Sequence, residues 1–396
     1  MVKQENFDKE RAERLVAEDV QQVIWLRFRR LTSARLCRRI LESRAPDLTK
    51  ENAESKAEGV ASAVRSAMGY WESTTASLNA KILTRYYALL QVTIAEQVAS
   101  PEPASDLTEI QRHTEFGHGL ATFNREDLPF PQSLQIAPLK NGHFFHYCRY
   151  RNLDIAQYSF ERRPRSWDGL SDDEKEKVVS LADVFRRIPE LQPLVEECLG
   201  NQPLSFHIGH DGKNMELKAA RNREHMAKTG AFTLNAPPDG NMTTTYVTIY
   251  PHSTNISKAY LDSLALPFNN IQEETDRYSG SKKFVGEIKH PSADLWWNHF
   301  NSYKSGYCGT SVIVPFWGTI DDPFILHFLA LYALSIVVRY MPSRWHEIED
   351  GSLDHIRALI EHYLAIVDGV LPRLAVERIT NARLNVVTPG GMNAPI

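Results

Sequence analysis

Apolar residues recur at helical spacing through the first quarter of the chain. From Arg11 to Leu26 they fall at Leu15, Val16, Val20, Val23 and Ile24, one face of a helix. Thr32 and Ser33 can cap a second helix over Ala34 to Ser43. Lys50 to Tyr70 is rich in alanine, so propensity alone favours a third. The clearest stripe is Leu78, Ile82, Tyr86, Leu89, Leu90, Ile94 and Val98, which predicts a fourth helix from Thr75 to Val98, stopped by Pro101 and Pro103. Thr108 to Thr122 reads as a fifth, interrupted by Gly117 and Gly119. The aromatic run from Gly142 to Cys148 predicts a strand, and Asp168 to Gly200 a helix opened by the capping-box spacing of Ser171 and Glu174.

From Phe206 to Trp317 the pattern changes. Thr243–Tyr250 is β-branched and aromatic and lies between Gly240 and Pro251; Lys283–Lys289 and Gly309–Trp317 have the same character. Turn-rich links, Asn235–Gly240 and Tyr278–Ser281, join these strands. Helical pattern returns at Asp322, broken at Pro342 and resumed over Leu353 to Asp368. The predicted fold is mainly α (α+β): a helical bundle with a small β-containing insert between N-terminal and C-terminal helices. Its expected segments are 1–125, 126–205 (a strand plus helical connector), 206–320 (the β-containing insert) and 321–396 (closing helices).

Composition narrows the class. Hydrophobic residues make up 42% and charged residues 24%, enough apolar material for a core and too little charge for wholesale disorder. The longest apolar run, Phe324 to Val338, contains His327 and falls short of the roughly 20 residues that span a bilayer, so a buried helix is expected and no membrane partner. No secretory signal opens the chain, and Cys37, Cys148, Cys198 and Cys308 are scattered, as in a cytoplasmic protein with reduced thiols. With a net charge of −4, any nucleic-acid site must be a local basic patch.

Three stretches resemble the YaaC-like family: Leu83–Leu90 followed by His118–Leu120, Val179–Leu191, and His327–Trp345. The resemblance spans nearly the whole chain and implies an architecture rather than a chemistry. The first stretch also resembles HEPN domains, helical bundles found in prokaryotic ribonucleases and in non-catalytic relatives. There a Tyr-Tyr helix precedes an Arg-polar-x-x-x-x-His segment, and Tyr86-Tyr87 followed by Arg112, His113 and His118 fits that plan. By this resemblance the chain is expected to be RNA-directed, as a metal-independent endoribonuclease of bacterial stress or phage defence.

The chemistry is consistent with that expectation. Cleavage without a metal needs a base for the ribose 2′-hydroxyl and a cation for charge building on the phosphate. His118 and Arg112 supply both, with His113 orienting one of them. On a continuous helix the two would stand roughly 120° apart, so they would meet through the long Arg side chain or across a homodimer. The structural alternative has His118 bonding a backbone carbonyl at a Gly-rich corner. Arg149, Arg151, Arg162, Arg163 and Arg165, interleaved with aromatics, are candidate RNA contacts, as is the stretch from Arg27 to Arg39; the alternative is a solvated face. His143 and His146 on one strand would point to opposite faces, and the His207–Asp211 turn lacks a further ligand, so no metal and no cofactor are expected. Arg339 and Trp345 are read as architectural, packing against the N-terminal helices. A second reading, a non-enzymatic regulatory or scaffold protein that binds another protein, rests on the acidic net charge and the lack of any strong catalytic motif.

Overall fold

The computed structural model describes residues 12–73, 77–238, 240–253, 255–276, 279–305 and 309–387; Arg11, Thr75, Tyr278 and Cys308 lie outside them, as does one residue of the Asn235–Gly240 link. In chain order the elements begin with β1 (Ala12–Val16), α1 (Val20–Arg30), α2 (Ala34–Arg44), α3 (Lys50–Glu72) and α4 (Leu78–Val98). Next come α5 (Leu107–Thr114), β2 (Leu120–Asn124), β3 (Leu134–Pro138), α6 (His143–Tyr150), α7 (Asp172–Lys175), β4 (Val179–Ser180) and α8 (Leu181–Phe185). The middle of the chain holds α9 (Gln192–Leu199), β5 (Ser205–His210), α10 (Lys213–Thr229), β6 (Met242–Tyr250), α11 (Lys258–Ser263), β7 (Asn269–Thr275), β8 (Lys282–Pro291), β9 (Tyr303–Ser305) and β10 (Gly309–Ile313). It closes with α12 (Pro323–Tyr340), α13 (Pro342–Asp350), α14 (Asp354–Thr380) and β11 (Arg383–Val387). The protein is thus mainly helical, of mixed α+β class.

Two compact units divide the chain: unit 1 draws on Met1–Val184 and Phe324–Ile396, unit 2 on Phe185–Pro323. In unit 1, α3 packs against α4, and its alanines Ala53, Ala57, Ala61 and Ala67 are almost fully buried. Side chains of α4 and α14 meet at Asp368, which accepts from Arg85 Nε at 2.5 Å and from Trp71 Nε1 at 3.1 Å, with Lys81 Nζ at 3.2 Å. The strand nearest the N-terminus pairs in parallel with the last one, Ala12 opposite Arg383 and Val16 opposite Val387. α12 is long and apolar enough to cross a bilayer by composition, but most of it is buried within the protein, Phe324 to Leu334 without interruption. Unit 2 carries a six-stranded antiparallel sheet in the order β7-β8-β6-β5-β10-β9, closed around Phe206, Val247, Ile249 and Phe284.

The structure corrects several readings of the pattern. The stripe from Leu15 to Ile24 belongs to a strand and then a helix, because Asp19 caps α1 by accepting from Gln22 N at 2.9 Å. The segment Thr108 to Thr122 is helical only to Thr114 and turns into β2. His143–Cys148 forms a helix, α6, instead of a strand, and its first amides donate to carbonyls of a distant turn: His143 N to Gly117 O at 2.9 Å and Phe144 N to His118 O at 3.0 Å. Asp168 to Gly200 is no single helix, since Ile136 of β3 draws Val179 into a three-stranded sheet and Pro189 and Pro193 reset the chain. The His207–Asp211 turn is mostly strand β5, and the last helix runs on to Thr380.

Candidate functional site

His118 sits in the turn between α5 and β2, which Gly117 and Gly119 allow by adopting φ of 83° and 76°. Across from it Gly142 has φ 97°, and a Cβ there would stand 2.5 Å from Gly119 N. Only glycines permit this backbone-to-backbone approach. It lets the Gly117 and His118 carbonyls terminate the open amides of α6 while Leu139 N donates to Gly119 O at 3.0 Å. The main chain of His118 is therefore fixed from both sides.

Its side chain is fixed at one nitrogen. Nδ1 lies 2.7 Å from Tyr86 Oη, on the fully buried face of α4, and the ring packs edge-on against Tyr86 and tilted against Tyr332. Tyr332 Oη donates to Leu120 O at 2.8 Å, which ties α12 to β2 beside the imidazole. His118 Nε2 hydrogen bonds to no described residue. Burial, then the positive charge of Arg339, holds the imidazole below its usual 6.5, so it is neutral at pH 7.

Arg339 is the cation at this site. It uses Nε and Nη2 on its own helix, donating to Ser335 O at 3.0 Å and Ser335 Oγ at 3.1 Å, and its guanidinium lies over the Tyr340 ring. Nη1 makes no bond to a described residue. Arg163, exposed and without an ion pair to any described residue, acts on the same cluster: its charge and that of Arg339 offset part of the burial that pushes the Tyr332 hydroxyl up to about 12. A neutral imidazole with one nitrogen anchored and the other open to the described residues thus stands under the charge of Arg339, with Arg163 acting on the neighbouring Tyr332. Such a group can accept a proton from a hydroxyl while the cations hold an anion.

The expected site residues are distributed differently. Arg112 is exposed and pairs with Glu109 at 2.9 Å, one helical turn away, instead of with His118. His113 also meets Glu109, at 3.3 Å, and stacks on His146 with ring centroids 3.8 Å apart. Of the candidate RNA contacts, Arg149, Arg162, Arg163 and Arg165 are exposed, but Arg151 turns inward. Its Nη1 lies 3.1 Å from Oε1 of Glu96, a carboxylate 1% exposed that also accepts from Tyr147 Oη at 2.6 Å. The Arg-aromatic stretch is therefore partly structural. Arg339 donates to Ser335 of its own helix while its charge reaches His118 and Tyr86 of α4, and Trp345 is buried.

His143 is 1% exposed and lies 2.7 Å from Thr93 Oγ, whereas His146 stacks on His113, so the two rings serve different neighbours. In unit 2, His207 Nδ1 lies 2.7 Å from Ser311 Oγ, while His210, three residues along the same strand, is exposed. Among the described residues no three His, Cys, Asp or Glu side chains are placed to hold a metal ion. Pattern reasoning linked Tyr86 to His118 through the Tyr-Tyr motif but missed Arg339 and Tyr332 as its neighbours. The one sequence signal for them was a polar Arg ending an otherwise apolar helix. No curated protein and no solved structure matches the chain. Residues 29–379 match the YaaC-like protein family, and the chain belongs to it.

Proposed function

We propose that this chain is an RNA-directed protein with a HEPN-like helical scaffold, interrupted by a β-containing insert, and that it cuts RNA without a metal ion at His118 and Arg339. The observation that carries this reading is the His118 ring, anchored through Nδ1 on Tyr86 and unpartnered at Nε2 among the described residues, with the Arg339 charge acting on it. With the Nδ1 proton donated to Tyr86 Oη, Nε2 bears the lone pair and takes the proton of a ribose 2′-hydroxyl. The freed oxygen attacks the adjacent phosphorus, the bond to the 5′-oxygen breaks, and that oxygen takes a proton from water, whose hydroxide the His118 imidazolium then neutralises. Arg339, with Arg163 beside Tyr332, holds the phosphate as its charge grows. Tyr86 is a positioning residue.

The products distinguish this chemistry from metal-assisted hydrolysis. Fragments are expected to end in a 2′,3′-cyclic phosphate and a 5′-hydroxyl, and a substrate with 2′-deoxyribose at the cut positions should resist. Fragments ending in 3′-hydroxyl and 5′-phosphate, or cutting of the deoxy substrate, would contradict it. One observation favours a protein-binding role instead: α10 has no buried residue and exposes Met215, Leu217 and Met226, with Phe232 and Leu234 exposed just beyond it. That reading gains ground if RNA is neither cut nor bound.

A further inference from the structure

A second basic feature lies in unit 1, built from residues that the cleavage chemistry does not use. α1, α2 and the end of α14 enclose an open groove of about 460 Å³. Its lining includes apolar Leu36 and Ile40 from α2 and Val376 from α14. Its rim carries three guanidiniums. Arg27 is neutralised by an ion pair with Glu13, which also lines the groove. Arg30 and Arg39 are exposed and make no ion pair or side-chain hydrogen bond with any described residue.

Other arginines nearby do have acidic partners. On the same two helices Arg29 pairs with Glu72 at 2.6 Å, and Arg38 with Glu42 at 2.7 Å and Glu54 at 2.5 Å. Neither Arg29 nor Arg38 lines the groove, and Arg30 and Arg39, which do, have no acidic partner among the described residues, on a chain whose net charge is −4. A concavity of this size with an apolar lining and a few convergent polar groups has the character of a small-ligand site. Two unpaired guanidiniums favour a phosphate, which they can grip through paired N–H groups.

We infer that this groove binds a nucleoside phosphate, the phosphate on Arg30 and Arg39 and the base against the apolar lining. The same chemistry is offered by a mononucleotide and by one unit of a nucleic-acid strand. The site shares no residue with His118 and Arg339, so either claim stands if the other fails.

Calorimetric titration of the full chain with four probes tests it: AMP, adenosine, inorganic phosphate, and a short DNA oligoadenylate that has no 2′-hydroxyl to attack. AMP should bind more tightly than adenosine or phosphate, and more weakly as salt rises. R30A/R39A should weaken AMP binding by about tenfold or more, since each charge-assisted contact is lost whole. Arg35→Ala, which removes an exposed and unpaired arginine of α2 that does not line the groove, should leave it unchanged. Because Arg30 and Arg39 are exposed, thermal melts of the double variant should match wild type. The oligoadenylate binding more tightly than AMP would identify a strand as the source, and equal or weaker binding a mononucleotide; both uphold the site. No AMP binding, phosphate binding as tightly as AMP, or equal losses in R35A and R30A/R39A would each overturn it.

Discussion

Replacing Glu96 tests whether a buried charge network ties α4, α6 and α14 together. The carboxylate is 1% exposed and faces Arg151 and Arg378, whose side chains are 13% and 7% exposed. Oε1 lies 3.1 Å from Arg151, while Oε2 accepts from Tyr147 at 2.6 Å and stands 3.8 Å from Arg378. Arg378 also donates to Tyr147 Oη at 3.0 Å and covers the Phe324 ring at 4.6 Å, so its guanidinium cannot swing to water without giving up that packing. Glu96→Ala leaves two like charges beside each other in a closed space, and removing one partner of a buried pair costs about 3–5 kcal/mol. That is a large fraction of the roughly 5–15 kcal/mol that stabilises a domain. Glu96→Gln keeps an acceptor for Tyr147 and the shape of the side chain, so it should cost less, about 1–3 kcal/mol. Urea unfolding followed by far-ultraviolet circular dichroism reports mainly on the long helices of unit 1. An Ala variant within about 1 kcal/mol of wild type, or a Gln variant less stable than Ala, would refute this account.

Three further outcomes follow from the same geometry. Gly142→Ala should destabilise unit 1 by about 1–3 kcal/mol and abolish cleavage, because it combines positive φ with a backbone clash against Gly119; an undisturbed melt would contradict this. Burial holds His143 neutral, its imidazole pushed down to about 3, whereas in the unfolded chain it titrates near 6.5. The unfolded state therefore binds the extra proton as pH falls from about 6.5 to 3 and stability drops across that window, a loss that His143→Gln should reduce in acid melts. Lys56, whose ammonium donates to Glu102 O at 2.7 Å and to Ser105 O, is lowered by burial to about 8 from 10.5. Between those values the folded chain has released a proton that the unfolded chain keeps, so wild type should gain stability relative to Lys56→Met as pH rises from about 8 to 10.5; a flat difference would contradict this.

Much of the helical frame was legible because its signals are local. The α4 stripe and the long, mostly apolar run of α12 each fix an element without knowledge of a partner, and the β-branched runs at β6 and β8 do the same in unit 2. What failed depends on distant contacts. α6 is built from residues that favour strands, and the carbonyls of a turn more than twenty positions upstream help hold it helical. β1 has no strand signature of its own because its ladder partner is β11, at the other end of the described chain. The motif singled out His118 but paired it with Arg112; the charge of Arg339 that acts on it comes from α12, and spacing along one segment cannot show that. The inward turn of Arg151 had one clue, the acidic Glu96 within the buried face of α4.

The central claim is metal-independent cleavage by His118 with Arg339, and the rate of RNA cutting in excess EDTA tests it most directly. Wild type should cut, with a rate that falls in acid only as His118 becomes protonated, below its ordinary 6.5. His118→Ala and Arg339→Ala should each lower that rate by about 10²–10⁴-fold with the melting curve preserved, and Arg112→Ala should leave it nearly unchanged. Cutting that stops in EDTA, or that survives His118→Ala, would contradict the account.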